Sequence, residues 1–499
     1  MINKIIKSLF TVTLISTITR LISFCFNVYL SRRLGAELLG LYQIAASVFM
    51  FFACFCASGI PISVSRKTAE YKALKNVAKQ RQYLTSSLVL SVGLASILTL
   101  LIFCNQKYLF TIFSDDRCVK LFLCFTPALI SSSVYCIIRS SFWGEKKFLI
   151  YSLTEFFEEI TKIVMSFCFL SGVISYLSDE IAISLAFTIA DYLTSFALII
   201  FYFVKGGKLA SPKQMLSVAK ISFPITSIRL YSSFIHSFTA IILPLMLVKF
   251  GMSTMSATSA YGRMSGMVMP LLNAPCSICS ALAIVIIPEL VTAKALNQGE
   301  KLNASIHKSL MFCVSICCLF IVLFVSYGKE LSAILYQDLI VGKYLMLSSI
   351  IVLPICIDQI LVAIMNSLGY EYKTFLSNFI GGLFMLVSIV FSAKFIGIYA
   401  LPFSMMIFHS VSLVINLLRF NKQLNLKNTS FKNVIILVLS SGVLAYIGNT
   451  VTKILNNFIP AFWSIVLQTF LLSSVFCAVL FMLNIVNKDV LKKFLTKTN

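Results

Sequence analysis

Ser309-Leu-Met-Phe-Cys-Val-Ser-Ile-Cys-Cys-Leu-Phe-Ile-Val-Leu-Phe-Val-Ser-Tyr327 runs its whole length without a charged residue. A helix needs roughly 20 mostly apolar residues to cross the hydrocarbon core of a bilayer, and this stretch supplies them. About fourteen such runs follow one another along the chain, among them 8–30, 41–63, 149–174, 181–203, 223–248, 264–288 and 344–367. No loop between them is long enough to hold a soluble domain. With 59% hydrophobic and only 12% charged residues in 499, the composition is that of a bilayer protein. The expected fold is an all-α polytopic membrane protein of about 14 transmembrane helices.

A net charge of +23 would point to nucleic acid if the basic residues formed one stripe, but they sort onto alternate loops. Arg66, Lys67, Lys72, Lys75, Lys79 and Arg81 crowd the second loop, and Lys205, Lys208, Lys213 and Lys220 the sixth. Arg419, Lys422, Lys427 and Lys432 mark the twelfth, and Lys488, Lys492, Lys493 and Lys497 the C-terminus. The fifth loop holds Asp179 and Glu180 and no basic residue. This pattern predicts a multi-pass protein of the cytoplasmic membrane with both termini cytoplasmic, and no nucleic-acid partner. Lys4 and Lys7 before an apolar run have the look of a signal peptide, yet Arg20 interrupts that run and no small-residue cleavage site follows, so it reads as the first span.

The chain also repeats itself. Pro61-Ile-Ser-Val64-Ser-Arg-Lys67 and Pro288-Glu-Leu-Val291-Thr-Ala-Lys294 share proline, valine and lysine at an offset of 227 residues, and Asn76/Asn303, Pro127/Pro354 and Phe148/Phe375 keep that offset. The matches fall six spans apart, which predicts two six-helix lobes related by a pseudo-two-fold along the membrane normal. The expected boundaries are 1–207 for the first lobe, 208–425 for the second and 426–499 for two appended spans. Proline weakens a helix locally, so Gly59, Pro61 and Pro288 are candidate hinge positions; the alternative is that the prolines only end their helices.

An ionisable side chain at mid-span costs about 3 kcal/mol to insert, so each one needs a partner or a watery cavity. Lys162 and Asp191 lie near the middle of adjoining spans and are expected to neutralise each other as a structural ion pair. Glu155, Glu158 and Glu159 form an acidic ladder with Lys162 on span five, with Arg139 placed to pair with it; ion or proton coupling is the other reading of the ladder. Arg20 has no acid in its own span, and Arg229 holds the corresponding place in span seven. Together they suit a cationic cavity between the lobes, because guanidinium grips phosphate oxygens in a fork; the alternatives pair Arg20 with span five and let Arg229 snorkel to the headgroups. Arg20, Arg229, Arg139, Glu155 and Glu159 are accordingly the candidate substrate-binding residues.

His236, His307 and His409 have no metal-like spacing. Most of the 15 cysteines lie inside spans at scattered spacings, and even Cys54/Cys56 and the Cys276/Cys279 pair read as small apolar packing residues. Neither a metal nor any other cofactor is expected, no Walker loop is present, and Asp115-Asp116 lacks the soluble domain that a metal-dependent glycosyl transferase would need. The chain is therefore not expected to be an enzyme.

Tyr29-Leu-Ser-Arg32-Arg33-Leu-Gly35-Ala36-Glu37, followed by Gly40-Leu-Tyr42-Gln43 and Gly59-Ile-Pro61, resembles the start of the stage V sporulation protein B family of polysaccharide exporters. Pro270-Leu-Leu-Asn273-Ala-Pro275, Ala281-Leu-Ala283 and Ile287-Pro288 resemble that family's eighth span, and Arg139 to Gly144 with Glu155 and Glu159 its fourth and fifth. The fifth span departs from the family pattern at Phe156-Phe157-Glu158. The resemblance extends over nearly the whole chain and points to the multidrug, oligosaccharidyl-lipid and polysaccharide flippase superfamily, which includes lipid II flippases. It implies alternating access and a lipid-linked sugar or peptidoglycan precursor as cargo. Membrane lipids and cell-wall synthesis proteins would be its partners, with a role in spore cortex or cell-wall polysaccharide synthesis. A polyprenyl pyrophosphate head suits arginine in a wet cavity, and its tail suits a groove along the last two spans. An ion-coupled multidrug or cation exporter is the alternative, ahead of a membrane-embedded glycosyl or acyl transferase.

Overall fold

A computed structural model describes residues 2–171, 178–424 and 431–482, and every described element is helical. The lysines expected at the C-terminus, and Lys427, lie outside the described residues. Large apolar side chains such as Phe391, Phe395, Leu439 and Phe470 are more than half exposed, the surface of a protein whose solvent is lipid. The chain is a multi-pass membrane protein.

Among the described residues, ten helices are long and apolar enough to cross a membrane, or eleven if one bent pair is a single span. A count of fourteen does not emerge directly. Two of the ten stretches are 63 and 49 residues long, and at about 1.5 Å per residue the longer would measure roughly 95 Å, far more than one crossing requires. A helix with the four charges Glu155, Glu158, Glu159 and Lys162 is too polar to qualify by hydropathy.

The chain divides into two compact units, Met1–Gly262 and Arg263–Asn499. The first holds α1 (Ile2–Ala57), α2 (Ile60–Ala73), α3 (Val77–Cys104), α4 (Gln106–Ile112), α5 (Asp116–Phe125), α6 (Ala128–Gly144), α7 (Phe148–Leu170), α8 (Asp179–Val204), α9 (Met215–Lys249) and α10 (Thr254–Tyr261). Its longest helix is broken at Gly35, where φ is 72° and ψ 177°. Only glycine adopts that conformation without strain, so α1 is two arms, which account for the first two expected spans. Val64, Tyr83, Ile137, Leu198 and Val218 form a core among α2, α3, α6, α8 and α9. The division at 262 lies beyond the expected lobe boundary at 207 because α9 and α10 both pack along α1.

A π-helical segment, Gly262–Val268, leads into the second unit: α11 (Met269–Leu272), α12 (Ala274–Ala295), α13 (Gly299–Tyr336), α14 (Leu339–Ser348), α15 (Val352–Ser367), α16 (Glu371–Ile396), α17 (Ala400–Leu424), α18 (Phe431–Leu455) and α19 (Ala461–Met482). Helix therefore begins ten residues before the expected start of the eighth span at 264. Met311, Val314, Cys318, Leu437 and Phe476 bind α13 to the last two helices.

The prolines differ in setting. Pro61 stands in the first turn of α2, just after the chain breaks at Ser58 and Gly59, whereas Pro288 lies inside α12. Neither ends a helix. Gly59 is a point of close approach: a Cβ there would come within 2.3 Å of Thr226 Oγ1 and 2.4 Å of the Ser222 carbonyl oxygen on α9.

Candidate functional site

A cavity of about 710 Å³ opens in the first unit. Ser23 and Asn27 reach it from the first arm of α1, Tyr42, Gln43 and Ser47 from the second, Glu159 from α7 and Ser233 and His236 from α9, with Phe187 of α8 in its wall. The break at Gly35 lets both arms of one helix line it. Ser237 Oγ donates to the Ser47 carbonyl at 2.5 Å, which ties α9 to the second arm.

Arg20 precedes Ser23 and Asn27 by three and seven residues, and Arg229 precedes Ser233 and His236 by four and seven. These spacings share one helical face, so both arginines continue stripes that line the cavity. Both are exposed, and neither makes a hydrogen bond or ion pair among the described residues. Thr17 and Thr19 give their hydroxyls to carbonyls one turn back, at 2.8 and 2.9 Å. Span five gives Arg20 no partner: Glu155 and Glu158 are taken, and Glu159 on the cavity wall makes no hydrogen bond or salt bridge among the described residues.

The remaining candidates sit in internal pairs. Arg139 Nη2 bonds Glu155 Oε2 at 2.6 Å, its Nε donates to the Tyr151 carbonyl at 3.2 Å, and its guanidinium lies 3.9 Å from the centre of the Tyr151 ring. Lys162 Nζ lies 3.6 Å from Asp191 Oδ1, but its nearer partner is Glu158 Oε1 at 2.6 Å. The triad stands beside the cavity, since Lys162 also faces the Phe187 ring at 6.0 Å.

Two charged groups escaped the sequence reading. At one end of the first unit, Arg117 bonds Glu37 and reaches Asp115 at 2.8 Å and Glu180 at 3.7 Å, while Arg33 lies 3.5 Å from Asp179. The first, third and fifth loops are thereby clamped together. Burial works to raise the Asp115 pKa, but hydrogen bonds from Arg117 and its charge reverse this and hold the carboxyl below its ordinary 3.8. In the second unit, Asp358 is 2% exposed. Its Oδ2 lies 2.9 Å from His409 Nδ1, and Ser412 donates to its Oδ1 at 2.9 Å. Asn378, Asn416 and Ser377 extend this polar network. The signal was present, because Asp358 is the one acid in its span and a mid-span acid is a functional candidate by default.

Residues 5–294, more than half of the chain, match the family of polysaccharide biosynthesis proteins. The chain belongs to that family. It is 22% identical over 382 residues to stage V sporulation protein B of Bacillus subtilis (strain 168), covering 73% of each chain. It is 20% identical over 310 residues to sporulation protein YkvU of the same organism, covering 60% of this chain and 68% of that one. Among solved structures, the lipid II flippase MurJ in an inward closed conformation superposes with a TM-score of 0.72 at 14% identity, over 95% of this chain and 99% of that one. An inward-facing multidrug resistance MATE family transporter of the MOP superfamily gives 0.64 at 15% identity, over 83% and 96%. This member of the polysaccharide biosynthesis family thus has the all-helical fold of those two transporters, as the resemblance in its sequence implied.

Proposed function

We propose that the protein is a flippase, not an enzyme, that carries a polyprenyl-pyrophosphate-linked sugar or peptidoglycan precursor across the cytoplasmic membrane by alternating access. The observation that carries this reading is the pair of exposed arginines, unpartnered among the described residues, on the helical faces that line a cavity holding Asn27, Gln43, Glu159 and His236. An unpaired guanidinium at membrane depth is costly unless water or an anion meets it, and a pyrophosphate offers several oxygens to its fork. The family's work in polysaccharide synthesis and the fold shared with a lipid II flippase support such a cargo, and the sporulation relatives support a role in sporulation, which we place in the spore cortex. In this reading both termini are cytoplasmic. The 227-residue repeat defines lobes 1–207 and 208–425, and spans in 426–499 line a groove for the polyprenyl tail. Cell-wall synthesis proteins would take up the delivered precursor.

An anion held by arginine also senses the membrane potential, at about 2.3 kcal/mol per charge per 100 mV, and the Asp358–His409 pair supports proton coupling as a second source of drive. Proteoliposomes loaded with a lipid-linked precursor test the proposal. Arg20→Ala should abolish transbilayer movement and Arg20→Lys should impair it, with both proteins folded. A folded Arg20→Ala protein that moves precursor at the parent rate refutes the mechanism.

One observation favours the second reading, an ion-coupled cation exporter: Glu159 is a carboxylate on the same cavity wall that makes no salt bridge among the described residues. That reading requires Glu159→Gln to stop efflux of a cationic drug while Arg20→Ala leaves it intact.

A further inference from the structure

Five of the cysteines converge on one place in the second unit. Cys276 and Cys279 are three residues apart on α12, Cys313 and Cys317 four apart on α13, and Cys356 comes from α15. Each spacing puts its pair on one helical face, and the three helices pack against one another. Cys276 Sγ lies 3.1 Å from Cys356 Sγ, and Cys313 Sγ donates to Cys279 Sγ at 3.3 Å. The sulfurs of Cys279, Cys313 and Cys317 all lie within 4.8 Å of one another. None of the five is more than 5% exposed.

We propose that this nest of Cys276, Cys279, Cys313, Cys317 and Cys356 binds a soft, thiophilic d10 metal ion, Cu(I) or Zn(II). All five are free thiols. Sulfurs on a tetrahedral ion with Zn–S bonds of about 2.3 Å stand roughly 3.8 Å apart, so the two closest pairs, at 3.1 and 3.3 Å, need to open by only about half an ångström to surround an ion. Packing alone explains single buried cysteines, and it explains Cys318, which turns away from the nest into the core with Met311 and Phe476. It does not explain why two helical repeats and a third helix aim thiols at one point.

The apolar surroundings exclude hard, strongly hydrated ions and select one that thiolate can strip of water. Each thiolate formed on binding releases one proton; Cu(I) enters without change of oxidation state. An ion held this way would staple α12, α13 and α15, and would stabilise the folded protein by mass action.

The test uses the full-length protein reduced in detergent micelles. It is titrated with Cu(I) against bathocuproine disulfonate, and separately with Zn(II) against 4-(2-pyridylazo)resorcinol. One ion per chain should bind in at least one arm, with a thiolate-to-metal charge-transfer band and a raised melting temperature, and the successful arm identifies the ion. Joint replacement Cys279→Ala, Cys313→Ala and Cys317→Ala should weaken binding at least tenfold. Replacing the exposed Cys25, Cys168 and Cys477 by alanine should leave it unchanged. Should the triple variant fail to fold, Cys356→Ala together with the parent titration decides the matter. The proposal is overturned if the parent protein binds neither ion, if binding survives loss of the nest, or if it disappears in the exposed-cysteine control.

Discussion

Neutralising the three members of the Lys162 triad one at a time should give an ordered series of stability losses. Their side chains are 16 to 21% exposed, so none is freely solvated. At an effective dielectric of about 20, Coulomb attraction is about 6 kcal/mol for the 2.6 Å contact with Glu158 and about 5 kcal/mol for the 3.6 Å contact with Asp191. Desolvation offsets most of each, and what survives is a preference of at most about 2 kcal/mol for Glu158. Lys162→Met removes the cation nearest to two carboxylates and should cost the most, about 3–5 kcal/mol. Glu158→Gln should come next and Asp191→Asn last, because Lys162 then keeps its shorter contact. The assay is the loss of monodisperse protein on heating, followed by size exclusion in detergent, where unfolding is irreversible and only the order is read. An Asp191→Asn protein less stable than Glu158→Gln, or a Lys162→Met protein that melts with the parent, would refute the assignment of Glu158 as the main partner.

Three further outcomes are expected. Gly40→Ala would place a Cβ 2.1 Å from the Thr258 carbonyl oxygen, a backbone atom that cannot swing away, so apparent melting should fall by the equivalent of about 1–3 kcal/mol or more; a variant with parental melting would show that α1 and α10 are not in such close contact. Asp358→Asn should keep the protein folded, since an amide can still bond His409 and Ser412, but should remove the pH dependence of transport in proteoliposomes; unchanged dependence rules the Asp358–His409 pair out of coupling. Asp115 has a folded pKa below its unfolded value, so its contribution is fully present above pH 3.8 and is lost as pH falls through the lower folded value. The melting difference between the parent and Asp115→Asn should therefore shrink only below pH 3.8, and a difference that persists in strong acid would disprove it.

Much of the site could be read locally. Arg20 was singled out because no acid stands near it in sequence, and it is unpaired among the described residues. Glu159 was picked for its place on the ladder and does line the cavity. Arg139 and Glu155 were chosen by the same reasoning, yet they are bonded to each other, and Tyr151 holds the guanidinium from its carbonyl and its ring. Helix number was less legible. The sequence sets 8–30 apart from 41–63 and counts 149–174 as a span, yet among the described residues only ten or eleven helices are long and apolar enough to cross a membrane. The reason is that α1 runs on unbroken but for Gly35 and the charges of α7 lower its hydropathy.

Hydropathy is a sum over neighbouring residues, and the cost of an ion in hydrocarbon is paid where that ion stands. For that reason the sequence by itself determined the bilayer class and the helical fold, and marked Arg20, Lys162 and Asp191 as charges in need of a partner or water. Which groups meet depends on how each helix is rotated about its axis and what packs beside it, and no local sum contains that. His409 and Asp358 are 51 residues apart, and Cys276 and Cys356 are 80 apart. Only the tertiary structure made a hydrogen-bonded acid–imidazole pair of the first two, and gathered the second pair with three more thiols into one buried nest.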